Sequence, residues 1–275
     1  MPFMVILLHV FLLTTNILAA DEEEVSKWDG KWFPQPPNAP DPNEKIPEVE
    51  DAKYPPMGVI DPECDDGKNN LTLDYDPKNV SHSIVHMCLD NYTHYRPNYN
   101  TAPVMRIYQI PTAYSAPHRC MGVNITYPEN IPTFGPHRAL WPQYGEYLYV
   151  PVQRWIHSLE HGAIVALYHP CAHEGLTKKL KSLVKACLFR HIITPSERLT
   201  PERPFALVAW GKSMEMSVIE DGLVREFIRD NALRGPEMTH RDGQYSEQLI
   251  EAAEIVSTKD DENLCPPSHT ESNKV

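Results

Sequence analysis

Six cysteines (Cys64, Cys88, Cys120, Cys171, Cys187 and Cys265) limit how this chain can fold more than any other feature. The count is even and no two of them form a C-x-x-C pair, which argues for three disulfides over a thiolate metal site. The pairing is not readable from the sequence, with one exception. Gly175 to Cys187 carries Leu176, Leu180, Leu183, Val184 and Cys187 on one face and lysines on the other, the pattern of an amphipathic helix. The ends of such a helix lie about 18 Å apart at about 1.5 Å per residue. A disulfide needs Cα atoms within about 7 Å of each other. Cys171, before the helix, and Cys187, at its end, are therefore expected to have different partners.

Disulfides imply an oxidising compartment, and the N-terminus agrees. Met1 to Ala20 contains no charged residue; the apolar run Val5 to Leu13 is followed by Ala19 and Ala20 and then by the acidic run Asp21 to Glu24. This is the layout of a signal peptide cleaved near Ala20. No later segment reaches the about 20 apolar residues of a membrane helix, so no span is expected in the mature chain. Four N-x-S/T sequons begin at Asn70, Asn79, Asn91 and Asn124. Clustered behind a signal peptide, they read as N-glycosylation sites on a secreted or lumenal protein. The net charge of -12 excludes nucleic acid and anionic lipid as natural partners. The expected partner is an unidentified extracellular or lumenal protein.

Asp21 to Pro62 mixes acidic residues with frequent prolines and reads as an extended leader, with Trp28, Trp32 and Phe33 as docking residues. Residues 63–257 read as a single glycosylated domain, and 258–275 as a polar tail. Its N-terminal part is loop-rich, with a strand at Val104 to Ile110. From Glu146 the pattern sharpens. Tyr147 to Val150 reads as a short strand. Pro151 opens and Gly162 closes a helix that carries Val152, Trp155, Ile156 and Leu159. Ala163 to Tyr168 and Phe205 to Trp210 read as buried strands. Ser217 and Glu220 form a capping-box pattern before Leu223 to Ile228, and Ser246 to Val256 reads as a last helix. The alternation predicts an α+β (or α/β) fold: one mixed sheet with helices packed on it, behind a disulfide-braced N-terminal part.

Thirteen histidines invite a search for metal ligands. The densest group is His157-Ser-Leu-Glu-His161. On a helix, residues four apart share a face, so His157 and His161 can share an ion. The string H-x-x-E-H has the form of the inverted zincin motif, with Glu160 as the base that activates water. That motif needs an acidic ligand from a later helix; Glu220, Glu226, Glu247 and Glu251 are the candidates. A non-catalytic site is the other metal reading. His137 follows the rigid Gly135-Pro136 turn and completes a set with His157 and His161. His118, His169 and His173 are further candidates, and zinc or copper would suit such ligands. In the third reading, the histidines and Glu160 form a buried hydrogen-bond network. His82 and His86 are a second pair at helical spacing, in a loop-like region. Arg154 beside Trp155 reads as a cation on an aromatic face or as a solvated arginine. No nucleophile elbow, Walker loop or dinucleotide fingerprint is present.

Pro132-Thr-Phe-Gly-Pro-His137, Trp141, Gly145-Glu-Tyr147, Trp155-Ile-His-Ser-Leu-Glu-His-Gly162 and Val165-Ala-Leu-Tyr-His-Pro170 together resemble the domain of unknown function 3105, a family of bacteria and animals. The likeness runs from about Thr112 to Leu233, and among animal members it points to the p53-inducible protein 13 type. The resemblance implies no reaction, substrate or cofactor. It does land its characteristic block on His137, His157, Glu160, His161 and Gly162. The name of the animal type implies stress-linked expression and growth restraint. That type looks anchored by a C-terminal membrane segment, and no such segment is expected here. Taken together, the chain reads as a secreted binding or interaction module with a metal or polar site at His137, His157 and His161. The alternative is a zinc-dependent hydrolase with Glu160 as its catalytic base.

Overall fold

The computed structural model describes residues 58–89, 94–237 and 239–267. The expected signal peptide, nearly all of the leader with Trp28, Trp32 and Phe33, the Asn91 sequon and the end of the tail lie outside these residues. In chain order the strands are β1 (Val104–Ile107), β2 (His118–Arg119), β3 (His137–Arg138), β4 (Gly145–Tyr147), β5 (Ile164–Tyr168), β6 (His191–Pro195), β7 (Phe205–Ala209), β8 (Lys212–Met216) and β9 (Leu249–Ala252). The helices are α1 (Val80–Ile84), α2 (Val152–Glu160), α3 (Glu174–Lys185) and α4 (Asp221–Asn231).

Seven strands form one mixed sheet in the order β1-β8-β7-β5-β6-β4-β9, and β2 pairs with β3 separately. The central strands are buried on both faces, and their apolar runs explain why. Alternate residues divide between two cores. Ile164, Ala166, Ile193, Phe205 and Leu207 meet Leu180, Val184, Val224 and Phe227 of α3 and α4 on one face. Val165, Leu167, Ile192, Ala206 and Val208 meet Val152, Trp155, Ile156 and Leu159 of α2 on the other. The expected α+β fold, one mixed sheet carrying helices, is therefore the observed one.

Three local expectations give way. Tyr147 to Val150 is not a strand, because β4 ends at Tyr147. Ser246 to Val256 is not a helix: Leu249–Ala252 adds an antiparallel edge strand to β4. Local pattern loses there to the unpaired edge of β4. The Ser217–Glu220 capping box does not form either. Ser217 directly follows β8, and Glu220 itself is the extended N-cap of α4, with no side-chain cap bond.

The loop-rich N-terminal part is fastened by buried charge. Arg154 grips both Asp65 oxygens at 3.0 Å and sits 4.1 Å over the Tyr245 ring. It is thus neither solvated nor stacked on Trp155. Arg138 grips Asp74 with two contacts of 2.6 Å. Three disulfides join Cys64 to Cys120, Cys88 to Cys171 and Cys187 to Cys265. Cys171 and Cys187 have different partners, as the helix between them demands. No helix among the described residues is long and apolar enough to cross a membrane.

The disulfides close loops with sequence separations of 56, 83 and 78. Replacing the buried pair Cys187 and Cys265 by alanine should lower stability by about 2–5 kcal/mol, read from urea unfolding. Mild reduction of the native protein should act in the same direction; an unchanged midpoint would contradict the bracing role.

Candidate metal centre

The site lies where α2 crosses the β2–β3 pair. Gly135, at φ 133°, lets the chain turn into β3. The Gly135 carbonyl accepts a hydrogen bond from His137 Nδ1 at 2.9 Å. The parallel register sets His118 directly beside His137. From above, α2 contributes His157 and Glu160, three apart and on one face. His157 Nδ1 donates to the Arg138 carbonyl at 2.6 Å.

The rings converge. Centroids lie 4.7 Å apart for His118 and His137, 4.8 Å for His118 and His157, and 4.5 Å for His137 and His157. Glu160 Oε2 is 3.1 Å from His137 Nε2 and 3.8 Å from His118 Nε2. One ligand atom from each of His118, His137, His157 and Glu160 falls within 4.8 Å of the other three. His137, His157 and Glu160 are buried; only His118 retains some exposure, 13 % of its side chain.

The hydrogen bonds set the chemistry. A backbone carbonyl only accepts, so His137 and His157 each carry a proton on Nδ1 and, when neutral, aim a lone pair from Nε2 into the cluster. Burial, reinforced by His137 and His161, holds His157 well below the usual imidazole range. Burial, with His137 adding to it, pushes His118 down to about 4. The interior thus collects the Nε2 lone pairs of His137 and His157 beside the Glu160 carboxyl. The Nε2 atoms of His118, His137 and His157 and Oε2 of Glu160 are all buried and lack a hydrogen-bond partner.

The structure distributes the other candidates elsewhere. His161 lies just past the end of α2, at φ −90° and ψ 14°. Its ring is 4.9 Å from that of His157, but its Nδ1 donates to the Glu237 carbonyl at 3.1 Å. It stands beside the four-residue cluster rather than within it. His118 takes the place given to His161. His169 contacts Tyr95, and His173 caps α3. His86 stacks on Tyr149, and His82 accepts from the Asp76 amide. Glu251 pairs with Lys185, and Glu220 occupies the N-cap position of α4. Glu237, unremarked in the sequence, is near the cluster. Burial raises its carboxyl first, and the charge of Glu160 raises it further. Asn70 and Asn124 are exposed and Asn79 half-buried, its Oδ1 accepting from the Ser81 amide.

Fold and site together define a disulfide-braced α+β domain with a buried histidine–carboxylate cluster. Residues 118–244 match the family described as "Protein of unknown function (DUF3105)", and the match contains all four cluster residues. The Tumor protein p53-inducible protein 13 of Rattus norvegicus is 30% identical over 91 residues, 33% of this chain and 24% of that protein. The Mus musculus protein of the same name gives the same identity and coverage. The chain thus spans about a quarter of the length of the curated relatives it matches. No solved structure matches it.

Neutral buried histidines make the fold acid-sensitive. His157 and the fully buried His191, which burial pushes to about 4, bind a proton less readily when folded than when unfolded, where the ordinary value is about 6.5. The unfolded chain binds more protons between those values, so this stability is complete above about pH 6.5 and is lost as pH falls toward 4. Urea midpoints of chelator-treated protein should therefore decline over that window. Each such histidine contributes about 1.4 kcal/mol per pH unit. A flat profile from pH 7 to 5 would contradict the neutral assignment.

Proposed function

We propose that this chain is an exported glycoprotein whose domain, residues 63–257, binds one divalent transition-metal ion, zinc or copper. His118, His137, His157 and Glu160 are the ligands. The protein serves as a binding or interaction module. The observation that carries this reading is the set of four buried ligand atoms within 4.8 Å of one another, none of them in a hydrogen bond. Each unsatisfied buried polar group costs about 1–3 kcal/mol, so four together approach the about 5–15 kcal/mol that holds a domain folded. One cation satisfies all four at once.

A purely structural network is a poorer fit, because such a network needs donors. The Nδ1 protons of His137 and His157 point outward to backbone carbonyls, so neither ring supplies a donor to the interior when neutral. The outward bonds are instead what a metal-bound histidine uses to fix its ring and raise its basicity. Three imidazoles and one carboxylate suit zinc or copper.

A hydrolase is also a poorer fit. It would use His157 and His161 as ligands, keep Glu160 free as a base and leave a coordination position open. Here Glu160 lies among the ligand atoms, and His161 falls outside that set. Four protein ligands make a closed site.

Export is supported by three disulfides and by exposed sequon asparagines at Asn70 and Asn124. From the names of the rodent relatives we carry over only induction by p53, as part of this proposal.

Protein purified from a secreting host without chelator should contain one equivalent of zinc or copper by elemental analysis. His157→Ala should remove it, and Glu160→Gln should weaken binding. His161→Asn should keep the ion, which separates this ligand set from one built on His161. At free metal about a thousandfold above Kd, bound ion should stabilise the fold by about 4 kcal/mol. Metal-free protein from metal-replete medium, or a His157→Ala variant that keeps a full equivalent, would overturn the reading.

A further inference from the structure

Beside the cluster lies a cavity of about 400 Å³ with an unbalanced charge. Its walls include the rings of Tyr108, Tyr114 and Trp210, the cations Lys212 and Arg234, and Pro236; no acidic residue lines it. Two other cavities differ. One combines Arg106 and Arg198 with Glu129 and Glu215, and another Lys68 and Lys78 with Asp76 and Glu247.

The two cations keep their charge available. Lys212 Nζ donates to Asn231 Oδ1 at 2.8 Å, a neutral amide already committed through its Nδ2 to the Phe227 carbonyl. Arg234 is exposed, and neither residue forms an ion pair among the described residues. In a chain of net charge -12, a concave surface with two uncompensated cations is a local reversal of sign.

The walls are fixed in place. Phe134 sits behind the cavity, with centroids 5.7 Å from Tyr114, 5.8 Å from Tyr108 and 6.3 Å from Trp210. The β7–β8 turn is held by Tyr108 N to the Gly211 carbonyl at 2.9 Å and Gly211 N to the Thr133 carbonyl at 3.2 Å. The segment bearing Arg234 is pinned on both sides, by Leu233 N to the Gly162 carbonyl at 2.8 Å and Glu237 N to the Glu160 carbonyl at 3.1 Å. Between these bonds, a Cβ on Gly235 would strike the Glu160 carbonyl. A pocket of this size, with aromatic walls and a few polar groups, is suited to a small planar molecule.

We propose that this cavity binds a small aromatic carboxylate, its ring against Tyr114 and Trp210 and its carboxylate between Lys212 and Arg234. This goes beyond the metal reading and does not depend on it. The site shares the Leu233–Glu237 segment with the cluster, so a bound anion sits next to the end of α2 that carries Glu160.

Calorimetric titration of the full secreted, metal-loaded protein with benzoate tests the proposal, with benzamide as the neutral isostere and cyclohexanecarboxylate as the anion without a π face. Benzoate should bind at one site, and both comparison compounds should bind more weakly, benzamide by about tenfold or more. Arg234→Gln, at an exposed position, and Lys212→Met should each weaken benzoate by a similar factor. Benzoate should still bind after chelation and in His157→Ala, so loss of the metal reading leaves this result legible. No saturable binding of benzoate, equal binding of benzamide, or unchanged affinity in both variants would overturn the proposal. Binding that disappears with the metal yet survives Arg234→Gln would place the carboxylate on the ion and overturn it as well.

Discussion

The 2.6 Å hydrogen bond from His157 Nδ1 to the Arg138 carbonyl couples the two halves of the site. It ties α2, which is packed on the sheet, to β3, which is not part of the sheet. It also fixes which nitrogen of His157 carries the proton and so determines what His157 offers to its neighbours. Arg138 is held at its other end by the bidentate contact with Asp74. A residue clamped through both its carbonyl and its guanidinium makes a rigid base for the His157 ring. The same logic holds one residue earlier, where His137 is oriented by the carbonyl of the Gly135 turn. Side chains that would otherwise sample several rotamers are thereby committed to one convergent arrangement.

Much of the fold was legible because its signals are local. Ala163 to Tyr168 and Phe205 to Trp210 are apolar runs too short for helices, and they form adjacent central strands. The amphipathic pattern of α3 gave the helix and, through its length, the rule that separates Cys171 from Cys187. What was not legible depends on partners distant in sequence. Strand β6 ends in Pro195, a strand-breaking residue tolerated there because it is the last position paired with β5. Strand β8 reads as Lys-Ser-Met-Glu-Met, with no β-branched residue, and exists because β7 and β1 flank it. Strand β9 took a segment with helical spacing because β4 offered an open edge.

The site shows the same division. The Gly-Pro-His turn and the His-x-x-Glu pair were visible as short strings, and they do converge. The spacing of His157 and His161 misled because it assumes a helix that continues through both. Helix α2 ends at Glu160, so the shared face belongs to the pair three apart and His161 falls outside the close set. His118 had no comparable signal. It sits in a two-residue strand defined only by its register with β3. The one hint was Cys120, two positions on, whose disulfide to Cys64 fixes this strand from outside.

That external fastening bears on what the region matching DUF3105 can do alone. The region, residues 118–244, contains all four cluster residues, but Asp65, Asp74 and Cys64 precede it. Without them Arg138 and Arg154 would be buried guanidinium groups without their carboxylates. Leaving one partner of a buried pair unmatched costs about 3–5 kcal/mol, and two such losses rival the stability of a typical domain. Arg138 also presents the carbonyl that orients His157, so the loss would reach the cluster directly. In this chain, then, the N-terminal segment is part of the electrostatic balance of residues 118–244. A relative that lacks equivalents of Asp65 and Asp74 must either replace the two arginines or supply the carboxylates from another part of its chain.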